Sequence, residues 1–175
     1  DELHYFAMRF LDLELSLPDQ LLHPMQAFIR DSTAVQYEEM IAWRVLPAQD
    51  VEYALYYVEG DIDQYRQAVN EIETVVNCRI TAIDEGSAHV WVCERTRSET
   101  QSWRDSFTDQ QLIVVPPIRF DATASMGMTL VGDGSEMQDT LETVRSGVDI
   151  TINKIGTYDR RGGTVGGTLN ERQLT

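Results

Sequence analysis

Between Tyr5 and Leu17 the residues alternate in character, with Leu11, Leu13 and Leu15 on one parity and Asp12, Glu14 and Ser16 on the other. That period of two predicts a strand with one buried face. Pro18 and Asp19 punctuate it, and Leu21, Leu22, Met25, Phe28 and Ile29 then recur at helical spacing as far as Asp31, which predicts a short amphipathic helix. Two β-rich runs follow, Val35 to Val45 and Val51 to Val58, divided by a loop of five residues, and they read as a hairpin. Gly60 closes the second run. From Asp61 the positions Ile62, Tyr65, Ala68, Val69, Ile72 and Val75 follow a helical period behind an acidic start that suits the helix dipole. A strand is expected from Val76 to Asp84.

This order is β-α-β-β-α-β, the split arrangement of ferredoxin-like units. The second half repeats it, with strands expected at 88–95, 112–120, 128–131 and 148–158 and helices at 98–110 and 136–144. A shift of 72 residues lays Val58, Gly60, Asp61, Ile72, Val76, Cys78, Ile80 and Ile83 over Leu130, Gly132, Asp133, Val144, Val148, Ile150, Ile152 and Ile155, which preserves the alternation of the core. The expected fold class is therefore α+β, built as tandem ferredoxin-like, ACT-like units with antiparallel sheets. The first unit spans 1–86 and the second 87–159. Residues 160–168 are Gly-rich, with almost nothing that packs, and read as a linker. Residues 169–175 begin a helix and stop, which suggests a piece of something longer.

Charge narrows the function classes. The 175 residues hold 29 Asp and Glu against 14 Lys and Arg, a net charge of −15, and Lys154 is the sole lysine. Acids spread along the whole chain, with arginine almost replacing lysine, read as a surface adapted to molar salt. Such a surface repels phosphate backbones, so direct nucleic-acid binding by this part is not expected. The sequence holds no run of eighteen apolar residues and no leader-like N-terminus, so no membrane association is expected and the location is expected to be cytoplasmic. Two cysteines do not make a disulfide scaffold.

The end of the chain carries a resemblance. Leu169-Asn170-Glu171-Arg172-Gln173-Leu174-Thr175, preceded by Ile155-Gly156-Thr157-Tyr158-Asp159, looks like the entry to the helix-turn-helix of the bacterio-opsin-activator family of haloarchaeal transcription regulators. The Arg-Gln pair of that helix start is kept, while Leu-Asn stands in place of Leu-Thr. The segments Leu22-His23-Pro24-Met25, Val58-Glu59-Gly60-Asp61 and Val115-Pro116-Pro117-Ile118 also resemble the N-terminal domains of these regulators. The resemblance implies a sensory or oligomerising role for this part, with DNA bound through a C-terminal module beyond Thr175. A homodimer is the form that suits palindromic sites.

Three groups of residues invite chemistry. A two-residue turn at Glu85 and Gly86 would pair residues whose numbers sum to 171, facing Cys78 with Cys93, Ile80 with Trp91 and Ala82 with His89. Cys78, His89 and Cys93 would then form a redox pair or a partial metal site. The plainer reading makes the cysteines core residues, and no fourth zinc ligand stands out. His23, beside Pro24 at a helix start, is expected to be structural. By analogy with ACT-type sensors, the strand-to-helix turns Gly60-Asp61 and Gly132-Asp133 are candidate effector sites, although glycine there also suits a bare backbone turn. Acidic pairs such as Glu38-Glu39 follow from composition alone, and no motif marks a nucleophile, a phosphate loop or an acid–base pair. The expectation is a non-catalytic sensory and pairing domain without a resident cofactor, open to a small effector. A small α+β enzyme and a purely structural pairing module are the alternatives.

Overall fold

The computed structural model describes residues 8–99, 101, 105 and 111–157. Strand β1 (Arg9–Ser16) leads through a short helical turn at 19–21 to helix α1 (Pro24–Asp31). The hairpin β2 (Val35–Leu46) and β3 (Val51–Gly60) follows, then α2 (Ile62–Asn70) and the hairpin β4 (Val75–Asp84) and β5 (Ser87–Arg95). The second half contains β6 (Ile113–Asp121), β7 (Met126–Gly132), α3 (Gly134–Arg145) and β8 (Asp149–Thr157). The helix expected over 98–110 falls largely outside the described residues, and the linker 160–168 and the helix start 169–175 lie wholly outside them.

Each described helix starts where a side chain satisfies its free backbone amides. Asp61 accepts from Gln64 N at 3.0 Å to cap α2, and Asp133, 72 positions later, accepts from Ser135 N at 2.7 Å to cap α3. The order β3-α2-β4 thus recurs as β7-α3-β8. Gly60, ahead of the first cap, has φ +152°, and a Cβ there would sit 2.2 Å from the carbonyl oxygen of Ala34, so only glycine fits between the strand and the chain entering β2.

The strands do not form two separate sheets. All eight lie in one sheet in the order β4-β5-β3-β2-β6-β7-β1-β8, with every neighbouring pair antiparallel. The expectation of tandem ferredoxin-like units is overturned on this point, because each unit needed its own first strand inside its own sheet. Instead β5 lies between β3 and β4, while β1 crosses to the other end and lies between β7 and β8. The cause is local. Only Glu85 and Gly86 separate β4 from β5, and a connection that short returns the chain beside the strand it has just left. With that position filled, β1 brings Leu11, Leu13 and Leu15, all fully buried, to the C-terminal half. Residues 37–40 of β2 pair with 118–121 of β6 and join the halves into one surface.

Two apolar clusters sit on this sheet. One gathers the three leucines of β1 with Met128, Leu130, Leu141 and Val144. The other gathers Ile29, Val35, Val58, Tyr65, Val69 and Val90. Tyr56 on β3 packs against both, so the clusters meet beneath the middle of the sheet.

This topology predicts which fragments fold. A chain of residues 1–86 lacks β5 and should show no cooperative denaturant transition in molar KCl. A chain of residues 18–97, which holds the whole second cluster, should show one by far-ultraviolet circular dichroism. Folding of 1–86 alone would contradict the strand assignment.

Candidate functional site

Strand β2 builds the site by breaking its own alternation. Its pairing with β3 slips between Val35 and Tyr37 and again between Met40 and Ala42. An unbroken strand would group Val35 with Tyr37 and Glu39. After the two slips Val35, Glu38, Met40 and Trp43 share the inner side, and Glu38 is only 3% exposed. Irregularities of this kind re-aim side chains.

Beneath that side lies a cavity of about 150 Å³ where the two clusters meet. Its apolar wall comes from Met40 and Trp43 of β2, Tyr56 of β3, Ile118 and Phe120 of β6, and Met126 and Met128 of β7. Helices α1 and α2 close it with Met25, Gln26, Tyr65 and Val69, and Glu38 contributes the buried carboxyl. Tyr65, 1% exposed, donates its hydroxyl to Glu38 Oε1 at 3.0 Å. Burial disfavours the charged form and pushes Glu38 from the ordinary 4.5 up to about 7, against the opposing pull of the Tyr65 hydrogen bond and of His23.

A second polar group closes the rim. His23 precedes α1, and its Nδ1 accepts from Met25 N at 3.1 Å, while Gln26 Oε1 accepts from His23 N at 2.9 Å. These reciprocal bonds form a capping box. With Nδ1 accepting, the network assigns the proton to Nε2, which meets Glu94 Oε1 at 2.7 Å and Oε2 at 2.9 Å. Thr74 donates to Glu94 Oε1 at 2.6 Å, and Arg97 reaches Thr74 Oγ1 at 3.3 Å. Burial raises the Glu94 carboxyl, but the His23 and Thr74 bonds and the Arg97 charge outweigh it and hold its pKa below the ordinary value. His23 thus joins the cap of α1 to Glu94 on β5.

The capping box also fixes Gln26. Its Oε1 is held by the His23 amide, so its amide has one orientation, and its Nε2 is left buried with no hydrogen-bond partner. Gln26 is 7% exposed and lines the cavity.

The residues singled out in the sequence lie elsewhere. Gly60-Asp61 and Gly132-Asp133 do occupy the strand-to-helix turns, but none of the four lines the cavity, and both carboxylates cap helices. A Cβ at Gly132 would come within 3.0 Å of the Gln111 carbonyl oxygen as well as 2.5 Å of Leu112 Cδ2, so the glycine sits in a closely packed place. The hairpin β4–β5 corrects the cysteine geometry. Its register slips between Ala82 and Asp84, so Cys78 faces Val92, Arg79 faces Trp91 and Thr81 faces His89. Cys93 pairs with Asn77. One residue of slip puts Cys78 on the inner face with Val92, and Cys93 and His89 on the outer face. Among the described residues no group of His, Cys, Asp and Glu is arranged to hold a metal ion, and no helix is long and apolar enough to cross a membrane.

Glu38 and Gln26 were not legible as a site. The two slips of β2 hide Glu38 inside an ordinary acidic pair, and Gln26 looks like any polar residue of a surface helix.

Residues 23–158 match a protein family described as HVO_0513_N, N-terminal, a haloarchaeal designation. The match runs from the cap of α1 through β8 and begins after β1. No curated protein matches the chain.

Two outcomes follow from this geometry. Mild oxidation should leave Cys78 and Cys93 unlinked in the native chain, as peptide mass spectrometry would show; an intramolecular disulfide would contradict the register. For Glu38, the native state retains a proton that the unfolded chain releases between about pH 4.5 and about 7. Its contribution to stability is complete below that window and declines as pH rises through it. Glu38→Gln should remove the decline and be the more stable protein at pH 8, measured as the difference between variant and wild-type unfolding curves across pH 4 to 8.

Proposed function

We propose that this chain, which belongs to the HVO_0513_N, N-terminal family, is the non-catalytic sensory domain of a transcription regulator and that its cavity receives a small effector. The cavity is the observation that carries the reading. Binding pockets combine an apolar, aromatic lining with a few placed polar groups. Here Trp43, Tyr56 and Phe120 supply the walls, and Glu38 and Gln26 the polar points. Because the lining comes from both halves of the sheet and from α1 and α2, an occupant would change how these elements hold together, which suits a sensor.

The remaining parts of the reading follow from charge and from the resemblance at the chain's end. A net charge of −15 disfavours contact with phosphate backbones, so DNA contact is assigned to a helix-turn-helix module following Thr175. Pairing of two copies would present two such modules to a palindromic site.

The test is a thermal-shift screen of small, mainly apolar compounds in molar KCl, run beside a variant in which Ala54→Phe fills the cavity from β3. A compound at one hundred times its dissociation constant should raise native stability by about 2.7 kcal/mol. The shift should vanish in the filled variant while its fold, followed by circular dichroism, persists. Equal shifts in both proteins would place binding elsewhere and overturn the reading.

A further inference from the structure

The two polar points of the cavity specify what occupies it, and this step rests on the effector reading above. Gln26 Nε2 is a buried donor without an acceptor, and the capping box prevents the amide from turning its oxygen inward instead. Buried donors left unpaired are costly, and a ligand that supplies an acceptor removes that cost. Glu38 also lines the cavity and offers carboxyl oxygens of which Oε1 already takes the Tyr65 hydroxyl. An anion would satisfy Gln26 but would be set against the Glu38 carboxyl, and the remaining charges of the lining do not favour it, since Glu52 and Glu94 stand beside Arg95 and Arg97. A cation would satisfy Glu38, yet it carries no acceptor for Gln26 and shares the lining with Arg95 and Arg97. A neutral group that presents an N–H donor beside a carbonyl acceptor satisfies both.

Size sets the rest of the molecule. A cavity of about 150 Å³ is of the order that accommodates one benzene ring in an apolar protein interior. Trp43, Tyr56 and Phe120 line it with aromatic surface.

We infer that the cavity is a binding site for an uncharged, single-ring aromatic ligand bearing a carboxamide or lactam group, its carbonyl received by Gln26 Nε2 and its N–H by the Glu38 carboxyl.

The test uses five probes of similar size on the full 175-residue chain in molar KCl, by calorimetry: benzamide, acetophenone, benzoate, benzylamine and ethylbenzene. Benzamide should bind more tightly than either charged probe, and more tightly than acetophenone, which keeps the carbonyl and lacks the N–H. Gln26→Leu should weaken benzamide about tenfold, the scale of one buried hydrogen bond. It should leave ethylbenzene unchanged, and ethylbenzene thereby reports that the variant still folds around its cavity. If ethylbenzene binds while benzamide is indifferent to Gln26→Leu, or if benzoate or benzylamine binds more tightly, the ligand assignment is overturned and the cavity reading stands. If no probe binds the wild-type chain, the cavity reading fails and the assignment fails with it.

Discussion

A turn of two residues constrains this architecture more than any other feature. Glu85 and Gly86 leave the chain no path from β4 except straight back, so β5 must pair with β4 and fill the place beside β3. Once that place is taken, the leucine face of β1 has to be buried elsewhere, and it is buried between β7 and β8. The halves of the sheet are then tied twice, by the path of the chain and by the pairing of β2 with β6. A cavity whose walls come from both halves follows from that tie, since two independent units would each have closed over a core of their own.

Within this frame the polar interior is held in place by helix and strand mechanics. The cap of α1 does two things at once, satisfying the first amides of the helix and locking the Gln26 amide with its nitrogen buried and unpaired among the described residues. His23 carries the same cap to Glu94 on β5, and Thr74 and Arg97 extend the chain of bonds to the start of β4 and the end of β5. Glu38 is held by Tyr65 from α2. A carboxyl and an amide kept in a largely apolar interior reduce stability unless they are matched.

The acidic surface and the cavity answer to different solvents. Most of the acids that give the chain its net charge of −15 belong to the exterior, which they keep hydrated and mutually repelling. The cavity is lined mainly by apolar side chains, and a neutral occupant avoids the desolvation cost of a buried charge.

Sequence alone was enough for the local elements: the parity of Leu11, Leu13 and Leu15, the helical spacing from Ile62 to Val69, the strand-to-helix turns at Gly60-Asp61 and Gly132-Asp133, and the recurrence of those turns at a distance of 72. Each depends on neighbours a few residues away, and period and capping register them directly. The tertiary structure alone decided that the eight strands form one sheet with β1 and β5 in exchanged places, that Cys78 and Cys93 part to opposite faces, and that Glu38 turns inward. These depend on pairings between distant segments and on single-residue slips in register, and a slip of one position reverses every side chain beyond it without leaving a mark in the pattern of residues.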